Sequence, residues 1–274
     1  MTTVACIQMA SGPAVGANLL EAERLIGMAV DKGAKLIVLP ENFAIMGKEE
    51  SDTVAVRDAD DGGPIQDFLS QQAVKQGVWL VGGTVPMVAK ADNKIRAACL
   101  LYDDQGKQAA RYDKIHLFDV SLVDSDESYA ESEAIESGDQ AVVVETPFGK
   151  LGLAVCYDLR FPELFRTMLD QGMDIIAMPS AFTAITGKAH WGTLVRARAI
   201  ENLCYVLAAG QGGYHVNGRE TYGHSMIVDP WGQVMNELAN GSGLVCAEMD
   251  MDRLKNIRRT FPALEHRNIV CRVF

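Results

Sequence analysis

Three reactive side chains each follow a predicted strand of this sequence. Glu41 follows the apolar run 36–40, Lys114 follows the second arm of a predicted hairpin, and Cys156 follows the run 151–155. In α/β proteins, ligands bind beyond the carboxyl ends of strands, where the connecting loops diverge. We therefore expect a carboxylate, an amine and a thiol to meet at one site and to form a catalytic set.

Such a set suits the hydrolysis of an amide. An amide carbon is a poor electrophile, so hydrolysis benefits from a covalent intermediate, here a thioester on Cys156. Glu41 would accept the thiol proton, pass it to the departing amine, and then activate water against the thioester. Lys114 would neutralise the oxyanion together with a backbone N–H, that of Tyr157. This scheme requires no metal and no cofactor.

The position of Cys156 also bears on its ionisation. A helix is predicted to begin near Pro162, and the positive end of a helix dipole favours a thiolate. Each residue of the set nevertheless has a purely structural alternative. Cys156 could be a small buried hydrophobic residue, Glu41 could cap a turn, and Lys114 could be a surface charge.

Other motifs favour different chemistry only weakly. His116 could pair with Cys156 as in papain-like enzymes, while His190 and Trp191 could line a pocket or simply pack in the core. The segment 210–215 lacks the last glycine of a dinucleotide-binding fingerprint. No cysteine pair has zinc-finger spacing and no histidine pair has metal-binding helical spacing, so we predict no metal site.

The elements that must position these residues alternate between amphipathic helices and apolar strands. Helices are predicted over 17–32, from Pro64, from Pro162 to Gly172, over about 188–203 and from Met251. Strands are predicted at 36–40, 78–85, 97–102, 107–112, 141–145, 151–155, 174–178, 204–209, 225–228, 234–238 and 244–249. This mixture predicts an α/β fold in which helices flank two mixed sheets, with 1–274 as a single domain. The polar stretch 121–140 is predicted to be a long, functional loop.

Composition limits the partners and the compartment. The 274 residues carry a net charge of −11, which argues against nucleic acid, and no apolar run is long enough to span a membrane. The basic residues of 253–259 recur at helical spacing and predict a solvated helix face. The six cysteines are scattered through apolar runs, so we predict reduced thiols and a cytoplasmic location.

Three segments carry a resemblance to a known family. They are LPE at 39–41, DKIHLF at 113–118 and GLAVCYDLRFPE at 152–163, and they resemble the signature segments of the nitrilase (carbon–nitrogen hydrolase) superfamily in the family's order. The resemblance implies an α-β-β-α sandwich, a catalytic triad of Glu41, Lys114 and Cys156, and a homodimer or higher homo-oligomer. It also implies a second glutamate before the cysteine, for which Glu131 fits best and Glu127 and Glu133 are neighbouring alternatives.

Within the superfamily, the sequence is similar to the deaminated glutathione amidases. This similarity is carried by the stretches 179–182, 185–191, 196–202 and 222–232, although Lys188 stands where that group usually has proline. It implies a repair amidase that converts deaminated glutathione to 2-oxoglutarate and cysteinylglycine. The alternatives are an ω-amidase acting on 2-oxoglutaramate, a nitrile hydrolase, and a non-catalytic binding protein on the same fold.

Recognition of a small amide with a 2-oxo acid end calls for a cationic partner. Arg160 is the candidate for the carboxylate because an Arg fork matches carboxylate geometry, unless it pairs with Asp158 or Glu163 instead. Thr186 could add a hydroxyl donor. Ser180 and Phe182 follow another strand end and are predicted to form a pocket wall.

Overall fold

The computed structural model describes residues 1–49, 51–122 and 127–269 of the chain. Its strands, numbered in chain order, are β1 (Thr2–Gln8), β2 (Leu36–Val38), β3 (Trp79–Val81), β4 (Val85–Val88), β5 (Ile95–Tyr102), β6 (Gln108–Asp113), β7 (Asp119–Ser121), β8 (Ser128–Ala130), β9 (Val142–Thr146), β10 (Gly149–Leu153), β11 (Ile175–Ser180), β12 (Tyr205–Gly210), β13 (Gly212–Tyr214), β14 (Glu220–Tyr222), β15 (Ser225–Val228), β16 (Val234–Leu238) and β17 (Gly243–Met249).

Among the described residues, five helices correspond to those that the hydrophobic periodicity predicts, and three short helices were not predicted. Together they are α1 (Val15–Asp31), α2 (Asp52–Ala55), α3 (Pro64–Gln76), α4 (Glu131–Ala134), α5 (Pro162–Asp170), α6 (Ala184–Thr186), α7 (Gly192–Asn202) and α8 (Met251–Thr260). A short 3-10 helix, Cys156–Arg160, precedes α5, and one π-helical turn, Gly187–Trp191, precedes α7. Proline occupies the first turn of both α3 and α5, where its missing N–H costs no hydrogen bond.

Two mixed sheets form the centre of the molecule. In sheet I the strand order is β17-β1-β2-β3-β5-β4, with β6 paired to β5; in sheet II it is β16-β15-β12-β11-β10-β9. Parallel pairs such as β1–β2 and β10–β11 occur beside antiparallel pairs such as β1–β17 and β9–β10. The predicted α/β fold with two mixed sheets is therefore confirmed.

Successive side chains of the strands point to opposite sides of each sheet and so separate the core into layers. In β1, Val4 and Cys6 face sheet II, whereas Ala5 and Ile7 pack with helices α1 and α3. Successive side chains of a strand point to opposite faces, so a strand buried on both faces is a continuous apolar run. Helices α5 and α7 cover the other face of sheet II through residues such as Phe165. The layers follow the order helix, sheet, sheet, helix.

The predicted single strand 78–85 is wrong, because the chain breaks there into β3 and β4. Gly83 lies at the break with a φ of 55°, and a Cβ on it would come within 2.1 Å of the Pro40 carbonyl oxygen. Only glycine tolerates both this conformation and this approach. The break thus brings the chain against the segment that carries Glu41.

The stretch 121–140 is more structured than the predicted loop. Strands β7 and β8 form a two-stranded ribbon, and helix α4 follows β8 directly. Residues 123–126 of this stretch lie outside the described residues. The ribbon and α4 bring Glu131 back toward the ends of the sheet I strands.

Two further expectations concern cysteines and surface charge. Among the described cysteines, Cys6, Cys99, Cys156 and Cys204 are buried, Cys246 is half-buried, and all five are unpaired; Cys271 lies outside the described residues. On α8, Leu254 and Ile257 face inward and most of the basic residues are exposed. Arg258 departs from the predicted solvated face, because it is half-buried and donates to Asp174 and to the Leu203 and Met173 carbonyls. Over the described ranges, no helix has both the length and the apolar character that crossing a bilayer requires.

Candidate active site

Lys114 lies between two carboxylates at the ends of the sheet I strands. Its Nζ donates to Glu41 Oε1 at 2.8 Å and to Glu131 Oε2 and Oε1 at 2.7 and 2.9 Å. Lys114 is only 1% exposed and Glu41 only 3%. Burial alone would lower the pKa of Lys114, but Glu131 and Glu41 outweigh it and raise that pKa well above its usual value. The ammonium therefore stays charged despite being buried.

Cys156 lies next to this group, at the end of the segment that follows β10 in sheet II. Its φ of 49° places a non-glycine residue in the left-handed region, a strain that persists only where the surroundings hold it. The Ala181 backbone N–H donates to Sγ at 3.5 Å. Strand ends of both sheets thus contribute to one site.

The predicted preference of Cys156 for a thiolate is wrong for the resting site. Burial, the charge of Glu41 and a hydrogen bond with that carboxylate raise the pKa of the Cys156 thiol well above its usual value, against the opposing effects of Lys114 and the Ala181 N–H. Helix α5 begins only at Pro162, beyond the intervening 3-10 helix. The thiol is therefore neutral at neutral pH and needs a base when it reacts.

Buried polar contacts hold the Glu41 segment in place. The Gln211 side chain, 1% exposed, donates from Nε2 to the Glu41 backbone carbonyl at 2.9 Å and to Ser11 Oγ at 2.8 Å. The next residue, Asn42, has a φ of 56°, and its N–H donates to Thr84 Oγ1 at 2.8 Å. Gln211 belongs to the glycine-rich stretch considered above as an incomplete dinucleotide motif, and here it supports Glu41 instead.

Asp158 joins the two segments that carry Lys114 and Cys156. Its fully buried carboxylate accepts the Val155 N–H at 2.8 Å, the Tyr112 hydroxyl at 2.7 Å and the His116 N–H at 3.1 Å. Two of these donors flank Lys114 in sequence, and the third immediately precedes Cys156. The carboxylate therefore fixes the distance between the amine and the nucleophile.

His116 is engaged by this carboxylate and by an aromatic ring. Its Nδ1 lies 2.7 Å from Asp158 Oδ1, and its ring stacks on Phe161 with centroids 3.7 Å apart. The carboxylate whose charge acts on the Cys156 thiol is that of Glu41. The alternative of a papain-like Cys156–His116 pair is therefore not supported.

The structure distinguishes the three candidate glutamates of the acidic stretch by position. Glu131 contacts Lys114 and accepts the Phe118 N–H at 2.9 Å. Glu127 instead accepts the Tyr129 hydroxyl at 2.7 Å, and Glu133 is exposed. Glu131 is thus the glutamate of this stretch that joins Glu41, Lys114 and Cys156.

A narrow pocket lies over Cys156, and four of the five predicted substrate-binding residues line it. They are Tyr157, Arg160, Phe182 and Thr186. The pocket measures about 10 Å³, close to the ~10–15 Å³ that one water needs. Entry of a larger acyl group therefore requires these side chains to move apart.

The Arg160 guanidinium does not pair with Asp158 or Glu163, the alternatives left open above. It lies 5.8 Å from the Tyr157 ring centroid and 5.4 Å from that of Phe182, with Nη1 3.2 Å from His190 Nδ1. Contacts with aromatic rings and a histidine leave the guanidinium available for a carboxylate.

The prediction that Ser180 lines the pocket wall is wrong. Ser180 is the last residue of β11, is 1% exposed and donates its hydroxyl to the Met178 carbonyl at 3.3 Å. The pocket is lined instead from Ala181 onward, where the chain leaves the strand. Trp191 is also a core residue, because its ring packs on Phe182 and its Nε1 donates to the His224 carbonyl at 2.8 Å.

Sequence reasoning missed four residues that line the pocket. They are Phe118, Ala181, Thr183 and Arg219. Phe118 and Ala181 each lie within a recognised segment, so membership of that segment was a usable signal. Arg219 lies 63 positions after Cys156, between the ribbon strands β13 and β14, and no local pattern distinguishes it from a surface arginine. Within the described parts of the chain, no group of three or more His, Cys, Asp or Glu could hold a metal ion.

Comparison with known proteins identifies the family of this chain. Residues 3–259 match the family model of the carbon-nitrogen hydrolases. A deaminated glutathione amidase of Synechocystis sp. is 43% identical over 272 residues, covering 97% of this chain and 98% of that protein.

Solved structures give the same result. Saccharomyces cerevisiae Nit3, a nitrilase superfamily member, is 31% identical with a TM-score of 0.88, covering 98% of this chain and 97% of that one. An amidase from Nesterenkonia sp. is 26% identical with a TM-score of 0.79, covers 97% of this chain and 100% of that one, and carries acrylamide on its active-site cysteine after Michael addition. The match over nearly the whole length shows that this chain is an enzyme of the carbon–nitrogen hydrolase family.

Proposed function

We propose that this enzyme is an amidase that hydrolyses deaminated glutathione to 2-oxoglutarate and cysteinylglycine. The observation that carries the chemistry is the buried group of Glu41, Lys114 and Cys156, in which the Glu41 carboxylate accepts from Lys114 at 2.8 Å and raises the pKa of the Cys156 thiol. The substrate is supported by relatives named deaminated glutathione amidase, which include proteins of Synechocystis sp. and Homo sapiens at 43% and 39% identity.

Acylation begins with a neutral thiol. Glu41 accepts the Cys156 proton as sulfur attacks the amide carbon, which avoids a free thiolate in a buried site. Lys114, held charged by the two carboxylates, stabilises the oxyanion. Tyr157 contributes its backbone N–H, since it lies in the first turn of a 3-10 helix where such groups lack helical partners. The C–N bond then breaks, and Glu41 returns the proton to the departing amine.

Deacylation reverses these roles with water in place of the amine. Glu41 accepts a water proton as the oxygen attacks the thioester, and the C–S bond breaks to release the acid. The proton returns to the Cys156 sulfur, so the enzyme ends as it began. Glu131 acts through Lys114, which it holds from the side opposite Glu41 with both carboxylate oxygens.

Arg160 is the proposed partner of the 2-oxo acid carboxylate. It lines the pocket over Cys156, and its charge is exposed to that pocket between two aromatic rings. Thr186 and Phe182 would contact the same acyl chain. A 2-oxo acid end is shared by deaminated glutathione and 2-oxoglutaramate, so Arg160 serves either substrate.

The test is hydrolysis of deaminated glutathione, 2-oxoglutaramate, glutamine and a simple nitrile by the wild type and by Cys156→Ala. We expect turnover of deaminated glutathione that disappears in the variant while its melting temperature stays close to wild type. A clear preference for 2-oxoglutaramate would make the enzyme an ω-amidase. No turnover of any of the four compounds would favour a non-catalytic binding protein on this fold.

The assembly and location of the enzyme are part of the same proposal. The family match over 3–259 supports a single hydrolase domain formed by 1–274, and the resemblance supports a homodimer or higher homo-oligomer. Five unpaired cysteines among the described residues support a reducing, cytoplasmic location. Light scattering on the purified enzyme would test the assembly, since a monomeric mass at all concentrations would contradict it.

A further inference from the structure

A second, larger cavity adjoins the pocket over Cys156. It measures about 430 Å³, against about 10 Å³ for the pocket itself. Glu131 and Arg219 line both spaces, so the two meet at these side chains. The size falls within the ~300–1,000 Å³ typical of small-molecule sites. The acyl chain and the leaving group of an amide need two separate spaces on either side of the scissile bond, and the site offers two.

Arg219 is held at this junction with unused hydrogen-bonding capacity. Its Nη2 donates to the Ala181 carbonyl, and its guanidinium lies over the Tyr129 ring, 5.0 Å from the centroid. Its Nε is buried and has no hydrogen-bond partner among the residues that the structure describes. A buried donor without a partner is costly, and a carboxylate ligand would satisfy it.

The charges around the junction are compatible with an anion at Arg219. Glu131, which lies between the two spaces, forms an ion pair with Lys114, a cation that it shares with Glu41. Glu127 accepts the Tyr129 hydroxyl, and the neighbouring residues Lys48 and Glu49 add one cation and one anion to the wall of the cavity.

We propose that the cavity is the leaving-group subsite and that Arg219 binds the terminal carboxylate of a peptide leaving group. This rests on the proposed function, in which the departing amine is a dipeptide that ends in glycine. Arg160 then recognises the acyl side and Arg219 the amine side, with Cys156 between them. A substrate that loses only ammonia, such as 2-oxoglutaramate, makes no use of Arg219.

The experiment compares kcat/KM for three amides in the wild type, Arg219→Gln and Arg160→Gln, with release of 2-oxoglutarate as the common readout. The amides are deaminated glutathione, the same compound with its glycine carboxylate amidated, and 2-oxoglutaramate. We expect Arg219→Gln to lower kcat/KM for deaminated glutathione by roughly 10–100-fold, as for a lost hydrogen bond to a charged group. The loss for 2-oxoglutaramate should be much smaller.

The amidated substrate makes the assignment specific. In the wild type, amidation of the substrate should lower kcat/KM by about the same factor as the Arg219→Gln change does. In Arg219→Gln, amidation should lower kcat/KM little further, since the same contact is already absent. Arg160→Gln is the matched control: it should lower all three activities and leave the effect of amidation intact. Arg219→Lys keeps a cation at the site and should recover part of the loss.

If Arg219→Gln lowers kcat/KM equally for deaminated glutathione and for 2-oxoglutaramate, the proposed subsite is refuted. That result would mean that Arg219 only supports Ala181 beside Cys156. An undiminished effect of amidation in that variant would refute the subsite as well. A wild type that hydrolyses 2-oxoglutaramate but not deaminated glutathione would instead refute the proposed substrate, and the subsite with it. Melting temperatures of all variants show whether a loss of activity reflects unfolding.

Discussion

The site has a buried floor and a more open wall, and the two are built differently. The floor consists of Glu41, Lys114 and Cys156, which are 3%, 1% and 7% exposed and follow strands of both sheets. The wall consists of side chains such as Arg160 and Arg219, which are half-buried and held mainly by aromatic rings. Floor residues cannot shift without disturbing the sheets, whereas wall residues can move as a substrate enters. We therefore expect chemistry to depend on the floor and substrate choice on the wall.

Glu41→Gln tests the most demanding part of the floor. Loss of the general base should lower kcat by roughly 10²–10⁴-fold. The same change removes an anion that raises the pKa of Cys156, so that pKa should fall and the thiolate should appear at lower pH. Alkylation by iodoacetamide, followed against pH, should show its midpoint below that of the wild type. A midpoint that rises would contradict the role of Glu41 beside the thiol.

Lys114→Met tests the oxyanion role within the same floor. We expect a loss in kcat/KM of roughly 10²–10³-fold, by analogy with the removal of one oxyanion donor. Removing the cation also leaves the buried Glu41 carboxylate and the half-buried Glu131 carboxylate without their partner, so the free energy of unfolding should fall by about 3–5 kcal/mol. Urea unfolding measures this second effect. A loss below tenfold in kcat/KM would mean that Lys114 is mainly structural.

Asp158→Asn tests how the floor is held together rather than the chemistry itself. The asparagine side chain keeps one acceptor oxygen, but its NH₂ group replaces the other. At least one of the groups that donate to Asp158, on Tyr112, His116 and Val155, therefore loses its acceptor. Unfolding should become easier by about 1–3 kcal/mol. We expect kcat to fall with KM little changed, because the distance between Lys114 and Cys156 loosens while the wall stays intact. A rise in KM alone would place Asp158 with the wall.

Ser180→Ala should have the smallest effect of the four changes. The hydroxyl makes one hydrogen bond to the Met178 carbonyl and does not line the pocket. Stability should fall by less than about 1.5 kcal/mol, and kcat/KM should stay close to the wild-type value for every substrate. Thr186→Val is the comparison, because Thr186 does line the pocket. A selective loss in Ser180→Ala would show that the pocket wall begins one residue earlier.

Local patterns predicted most of the secondary structure and the identity of the floor. Helices α3 and α5 begin at the prolines that indicated them, and β15 and β16 have the predicted bounds. These features depend on periodicity and on the chemistry of single residues, which are visible along the chain. The break between β3 and β4 was missed, since it depends on the approach of Gly83 to Pro40 across the fold.

The sequence by itself determined the layered α/β fold and the three reactive residues at strand ends. The alternation of apolar strands with amphipathic helices, and the position of a residue just after a strand, are local properties of the chain. Only the tertiary structure decided that Glu131, rather than Glu127 or Glu133, contacts Lys114. It also decided that Arg219 reaches the pocket over Cys156, a residue 63 positions earlier in the chain. Burial and the charge of Glu41, which also depend on the tertiary structure, raise the pKa of Cys156 although the nearby helix suggested the opposite. Contacts between distant segments and the exclusion of water arise only when the chain is folded, so no local pattern contains them.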